Sequence, residues 1–148
     1  MSADYPSMTT AEIRSKFLNF FEERGLKLYP SSSLVPDDPS LLLANAGMNQ
    51  FKEYYQGKKT MKEIGAISCQ KCVRTNDIDC IGEDGRHLSF FEMLGDFSFG
   101  GVSKQQACAW AFELITKEFK LPLDRLYFTV FTEDGETHDV WRLSLIHI

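Results

Sequence analysis

Ile64-Gly65-Ala66-Ile67-Ser68-Cys69-Gln70-Lys71-Cys72-Val73-Arg74 is followed, after a polar loop at 75–86, by His87-Leu88-Ser89-Phe90-Phe91-Glu92-Met93-Leu94-Gly95-Asp96-Phe97. Strand periodicity puts Ser68, Gln70, Cys72 and Arg74 on one face of the first segment, and Ile67, Cys69, Lys71 and Val73 on the other. The loop carries Asp84-Gly85, a turn signal. The two segments are therefore expected as strands of a long antiparallel hairpin. Arg74 ends the outgoing strand. Asp77, Asp79, Glu83 and Asp84 follow in the loop, and Arg86, His87, Phe90, Phe91 and Glu92 lie on the return. These residue types suit a nucleotide: a guanidinium clamps phosphate through parallel hydrogen bonds, and an aromatic face stacks on a base. Spacing alone favours a plain hairpin whose phenylalanines are core.

Working towards the N-terminus, Thr9 and Glu12 form a capping box. Ile13, Phe17, Phe20 and Phe21 then share one helical face up to Gly25, so a helix is expected at 10–24. A short strand at 26–29 ends at Pro30, and a proline-held loop follows. Leu41-Leu42-Leu43 reads as a buried strand, and 48–55 as a short helix.

Towards the C-terminus, Gly100-Gly101 breaks the chain. Ser103 and Gln106 form a second capping box. Ala107, Trp110, Ala111, Leu114, Ile115 and Phe119 predict an amphipathic helix at 104–119, stopped before Pro122. Residues 126–131, Leu-Tyr-Phe-Thr-Val-Phe, read as a strand. Residues 132–142 turn into a further helix, whose acidic run Glu133-Asp134-Gly135-Glu136 suits a solvated helix start.

The chain has 148 residues, enough for one domain and a real core. Sixteen Lys and Arg against 21 Asp and Glu leave a net charge of −5, unlike a dedicated nucleic-acid-binding module. No stretch approaches the roughly 18 apolar residues that span a bilayer, so no membrane partner is expected. Residues 1–8 read as a loose leader without a basic and apolar export pattern. The four cysteines are then expected to be reduced, in a cytoplasmic setting. Cys69-x-x-Cys72 lacks a second pair, and on a strand its members point to opposite faces, so no metal site is expected.

Four longer runs make a more specific pattern. Ser31-Ser32-Ser33-Leu34-Val35-Pro36, Asn45-Ala46-Gly47-Met48-Asn49-Gln50-Phe51-Lys52, Cys72-Val73-Arg74-Thr75-Asn76-Asp77, and Arg86-His87 with Ser89-Phe90-Phe91-Glu92-Met93-Leu94-Gly95-Asp96-Phe97-Ser98-Phe99-Gly100 occur in that order. Together they resemble the N-terminal catalytic region of the alanyl-tRNA synthetase family, over residues 9–142. The resemblance implies an α+β fold: the antiparallel sheet of class II aminoacyl-tRNA synthetases, flanked by helices and here incomplete. It implies alanine, ATP and tRNA(Ala) as substrates, with Mg2+ on the phosphates and its protein ligands, like any zinc site, outside this chain.

By that resemblance Arg74 is the catalytic α-phosphate ligand. Arg86 and His87 hold the outer phosphates and the base, and Phe91, or its neighbour Phe90, is the adenine platform. Even spacing from His87 favours Phe91. Asp77 and Glu92 would make adenine or supporting contacts, and Asn45 and Met48 would line the substrate pocket. The chain departs from the family at Asp96, commonly Asn, and at Gly101-Val102-Ser103-Lys104, commonly Asp-Tyr-Phe-Lys. Two further readings are an ATP-binding paralogue with another acceptor and a non-catalytic interaction module. Leu143-Ser144-Leu145-Ile146-His147-Ile148 falls outside the family pattern and resembles a translated sequencing adapter, so 143–148 is expected to be a non-native tail.

Overall fold

The computed structural model describes residues 7–146, with side chains described to residue 142. The chain forms two compact units, Phe21–Gly101 and Met1–Phe20 with Val102–Ile148.

Helix α1, Thr10–Glu22, begins where the capping box placed it. The Thr9 amide donates to Glu12 Oε2 at 2.7 Å, and the Glu12 amide donates to Thr9 Oγ1 at 3.3 Å. Phe17, Phe20 and Phe21 are buried, as the helical spacing requires.

In the first unit, strand β1 is only Lys27–Leu28. It is followed by a 3-10 turn, Gly47–Phe51, that continues into the one-turn helix α2, Lys52–Tyr55. Strands β2, Gly65–Val73, and β3, Phe90–Ser98, make the expected hairpin. They pair antiparallel from Gly65↔Ser98 to Val73↔Phe90. The sheet order is β1-β2-β3, and β1 lies parallel to β2, so the sheet is mixed rather than wholly antiparallel. The run Leu41-Leu42-Leu43 is not a strand; it is irregular backbone, with Leu42 85% exposed. Its neighbour Ala44 instead lends its carbonyl to the Val73 amide at 2.9 Å.

The core of this unit lies over one face of β2. Ala66, Ser68, Gln70 and Cys72 are fully buried there, and Ile67 is buried on the other face. Phe51 is 1% exposed and packs its ring against Tyr29, Phe97 and Phe99. Gln70 is a buried polar hub. Its Oε1 accepts from the Ser32 amide at 2.8 Å, from Ser32 Oγ at 3.0 Å and from Gln50 Nε2 at 3.1 Å. Those bonds offset the cost of burying an amide. They also tie the serine loop and the 3-10 turn to β2.

In the second unit, helix α3, Lys104–Glu113, is capped by Ser103, whose Oγ accepts from the Gln106 amide at 3.2 Å. The expected single helix to 119 changes character. Leu114–Glu118 is π-helical, with Thr116 Oγ1 donating to the Phe112 carbonyl at 2.7 Å. A hydroxyl taking the i−4 carbonyl is a recognised way to disturb the helical ladder. Helix α4, Gly135–Ile146, packs beside α3. Asp134 caps it, accepting from the Thr137 amide at 3.1 Å and from Lys104 Nζ at 3.0 Å. These bonds, the Thr137 amide first, hold the Asp134 carboxyl down at about 2. The expected strand at 126–131 is irregular backbone, without a ladder partner among the described residues. Of the expected leader, residues 1–6 lie outside the described residues, as do 147–148 of the expected tail.

Candidate functional site

The sequence places Arg74 immediately after β2, where its amide still donates to the Ser89 carbonyl at 2.9 Å. The side chain is half-buried and held twice. Its Nε donates to the main-chain carbonyl of Asn45 at 3.1 Å. Its guanidinium carbon stands 5.2 Å from the centre of the Phe91 ring, a cation–π arrangement. Among the described residues no carboxylate forms an ion pair with it. A guanidinium with Nε occupied and its terminal nitrogens free of carboxylate can present two parallel donors to an oxyanion.

Phe91 opposes Cys72 across the hairpin and therefore lies on the Arg74 side of the sheet. Phe90 opposes Val73 on the other face and is 53% exposed. Between these adjacent phenylalanines, only Phe91 shares the arginine's face. Glu92 opposes Lys71 and lies on the face away from Arg74 and Phe91. Asp77 is half-buried in the 3-10 turn Thr75–Cys80, which opens the hairpin loop.

Arg86 and His87 are exposed at the end of that loop, organised by Asp84. Asp84 Oδ1 accepts from the amides of Arg86, at 2.9 Å, and His87, at 3.1 Å. Its Oδ2 lies 2.6 Å from His87 Nδ1. The Arg86 amide, then the His87 amide, hold the Asp84 carboxyl at about 2, below its ordinary 3.8. The structure thus gathers Arg86 and His87 around Asp84, and Arg74 with Phe91 and Asn45. No described contact joins the two groups.

Asn45 is exposed, and its Oδ1 accepts from Asn49 Nδ2 at 3.1 Å. Met48, 46% exposed, sits in the same 3-10 turn as Asn49. Gly47 is buried between them and β3. Its amide donates to Met93 Sδ at 3.2 Å, and a methyl group in place of its hydrogen would stand 3.1 Å from Phe97 Cζ.

Sequence reasoning missed the anchoring carbonyls of Ala44 and Asn45. A main-chain carbonyl has no residue-type signature, so nothing in the sequence could have announced them. Asp84 was legible as a turn residue but not as the anchor of Arg86 and His87. A separate concavity of about 580 Å³, lined by Ser32, Pro36, Asp38, Asn49, Lys52 and Lys59 among others, contains none of the candidate site residues. Among the described residues no three of His, Cys, Asp and Glu gather as a metal site. Among the described residues no helix is long and apolar enough to cross a membrane.

The hairpin thus holds an arginine over an aromatic ring at the end of its first strand, with no carboxylate partner among the described residues. Residues 12–147 match the family described as tRNA synthetases class II (A), and the chain belongs to that family. Its relatives include an alanine–tRNA ligase, chloroplastic/mitochondrial, from Sorghum bicolor, 54% identical over 129 residues. That match covers 87% of this chain and 13% of the relative. An alanine–tRNA ligase of Synechocystis sp. is 51% identical over 142 residues, covering 96% of this chain and 16% of the relative. One from Pseudothermotoga lettingae is 50% identical over 135 residues, with 91% and 16% covered. The chain thus spans about 13–16% of the length of these relatives.

Proposed function

We propose that this chain supplies the ATP-binding hairpin of an alanine–tRNA ligase. The observation that carries this is Arg74: Nε tied to Asn45, guanidinium over Phe91, no carboxylate partner among the described residues. It is supported by half-identity to ligases of that name.

An alanine carboxylate oxygen attacks the α-phosphorus of ATP. The bond from that phosphorus to the bridging oxygen breaks, and pyrophosphate leaves with the electron pair. Charge grows on the α-phosphate oxygens during attack, so the fixed guanidinium of Arg74 stabilises the transition state more than the ground state. Phe91 offers the face on which adenine lies. Arg86 and His87, held by Asp84, meet the outer phosphates and the base. Asn45 and Met48 border the amino-acid side, and Asp77 supports the base. Glu92, on the opposite face, contributes through the hairpin rather than by touching ATP. In the second step a hydroxyl of the terminal adenosine of tRNA(Ala) attacks the alanyl carbonyl and AMP departs.

Mg2+ when bound neutralises phosphate charge. Four cysteines outside any disulfide suit a reducing, cytoplasm-like compartment.

The test is alanine-dependent ATP–pyrophosphate exchange by a longer protein that contains this chain. Arg74→Ala is expected to cost roughly 2.7–4 kcal/mol of transition-state stabilisation, the range for a lost oxyanion donor. Unchanged exchange kinetics would remove the phosphate role. The 148 residues alone are expected not to catalyse the exchange, and measurable alanine-dependent exchange by them contradicts that.

A further inference from the structure

We propose that the turn at residues 44–47 is the positioning device for Arg74, and that Gly47 sets its height. This rests on the reading of Arg74 as a phosphate ligand, and it adds the element that aims it. Three points pin the turn to the hairpin. The Ala44 carbonyl accepts from the Val73 amide at 2.9 Å. The Asn45 carbonyl accepts from Arg74 Nε at 3.1 Å. The Gly47 amide donates to Met93 Sδ at 3.2 Å. The first and third fix the position of the carbonyl that makes the second.

Gly47 is the tightest of these points. A Cβ there would lie 3.1 Å from Phe97 Cζ, 3.7 Å from Gln70 Cβ and 3.8 Å from Met93 Sδ. The Phe97 ring cannot retreat easily. It already lies against Gly95, where an added Cβ would stand 2.6 Å from the same Cζ atom. Phe51, itself buried, backs the ring with a centroid separation of 4.8 Å. A close-packed interior passes such a clash to whatever is least constrained. Here that is the turn, which carries the Asn45 carbonyl. Gly47 and Gly95 together form a slot for one ring, and the depth of that slot decides where the Arg74 fork points. An arginine freed from Nε keeps its charge but samples other rotamers, and loses the preorganisation that makes a fixed charge effective.

The experiment follows the Arg74 Nε–H by nitrogen–proton NMR in the 148-residue chain, with and without Mg–ATP. In the parent chain the Nε–H is expected to exchange slowly with water. In Gly47→Ala it should exchange at least about tenfold faster, with ATP binding weakened by a similar factor, the range for a hydrogen bond to a charged group. Phe97→Leu enlarges the slot. Gly47→Ala with Phe97→Leu should recover slow exchange and ATP affinity although Phe97→Leu alone lowers the melting temperature. That recovery is something a merely structural role would not produce. Should Gly47→Ala fail to fold, the volume-conserving Met93→Leu removes the sulfur acceptor instead. Faster Nε–H exchange there supports the proposal. Wild-type exchange in a folded Gly47→Ala, or in Met93→Leu when that is the variant used, overturns it. If exchange responds as expected while ATP binds none of the proteins, the turn's hold on Arg74 stands and the nucleotide reading falls.

Discussion

Residues 65–73 and 126–131 carry similar strand patterns, yet one becomes a strand and the other does not. β2 is buried at all of its first four residues and alternates buried and less buried positions only from Ser68 to Val73, and its backbone is paired along its length with β3. Residues 126–131 alternate too. Leu126, Phe128 and Val130 are half-buried, whereas Tyr127 is 91% and Phe131 71% exposed. Phe128 packs 4.5 Å from Trp141 and 6.1 Å from Phe112, centroid to centroid. Ring packing at Phe128 holds the segment, with no ladder among the described residues. Strand propensity describes a fit to a pleated surface, and the surface has to be supplied by a neighbour.

The comparison breaks most readily at the lid of β2. Phe51→Ala removes a ring packed among aromatic neighbours and should cost about 3–5 kcal/mol in urea unfolding. A loss below 1 kcal/mol would mean that the hairpin does not depend on that lid. Gln70→Ala is next. It strips the acceptor from the half-buried donors of Ser32 and Gln50 and empties a buried site, so about 1–3 kcal/mol should be lost. Equal stability would place the serine loop elsewhere in solution. Tyr127→Ala, on the unpaired segment, should fall within about 0.5 kcal/mol. A larger cost would show that residues 126–131 are paired after all.

The smallest effects are acidic. Asp84 and Asp134, one in each compact unit, are both held near 2 by hydrogen bonds to their ionised forms. A depressed carboxylate stabilises the fold above its ordinary value near 3.8. That contribution fades as pH falls through about 4 towards 2. Titrating the Arg86 and His87 amide resonances reads Asp84, and Trp141 fluorescence reads the helix that Asp134 caps. Asp84→Asn should abolish the first transition alone, and Asp134→Asn the second alone. A transition that survives its own substitution assigns it to another group.

Local rules made much of this chain legible. The helix starts at Thr9 and Ser103 follow from capping chemistry, and the hairpin from period-two alternation. The preference for Phe91 over Phe90 as the ring on the arginine's side also follows from alternation, which places one of two neighbours on each face. The four ordered motifs carried the family. Those features depend on residue type and spacing along the chain, which the sequence states outright.

Tertiary structure decided the rest. Whether Leu41-Leu42-Leu43 or residues 126–131 become strands depends on a partner edge, and β1 joins the sheet in parallel for the same reason. The site's geometry depends on main-chain carbonyls at 44 and 45, and on the slot that Gly47 and Gly95 leave for one phenylalanine. Backbone groups are the same at every residue, so their roles emerge only when folding brings distant segments within hydrogen-bond reach.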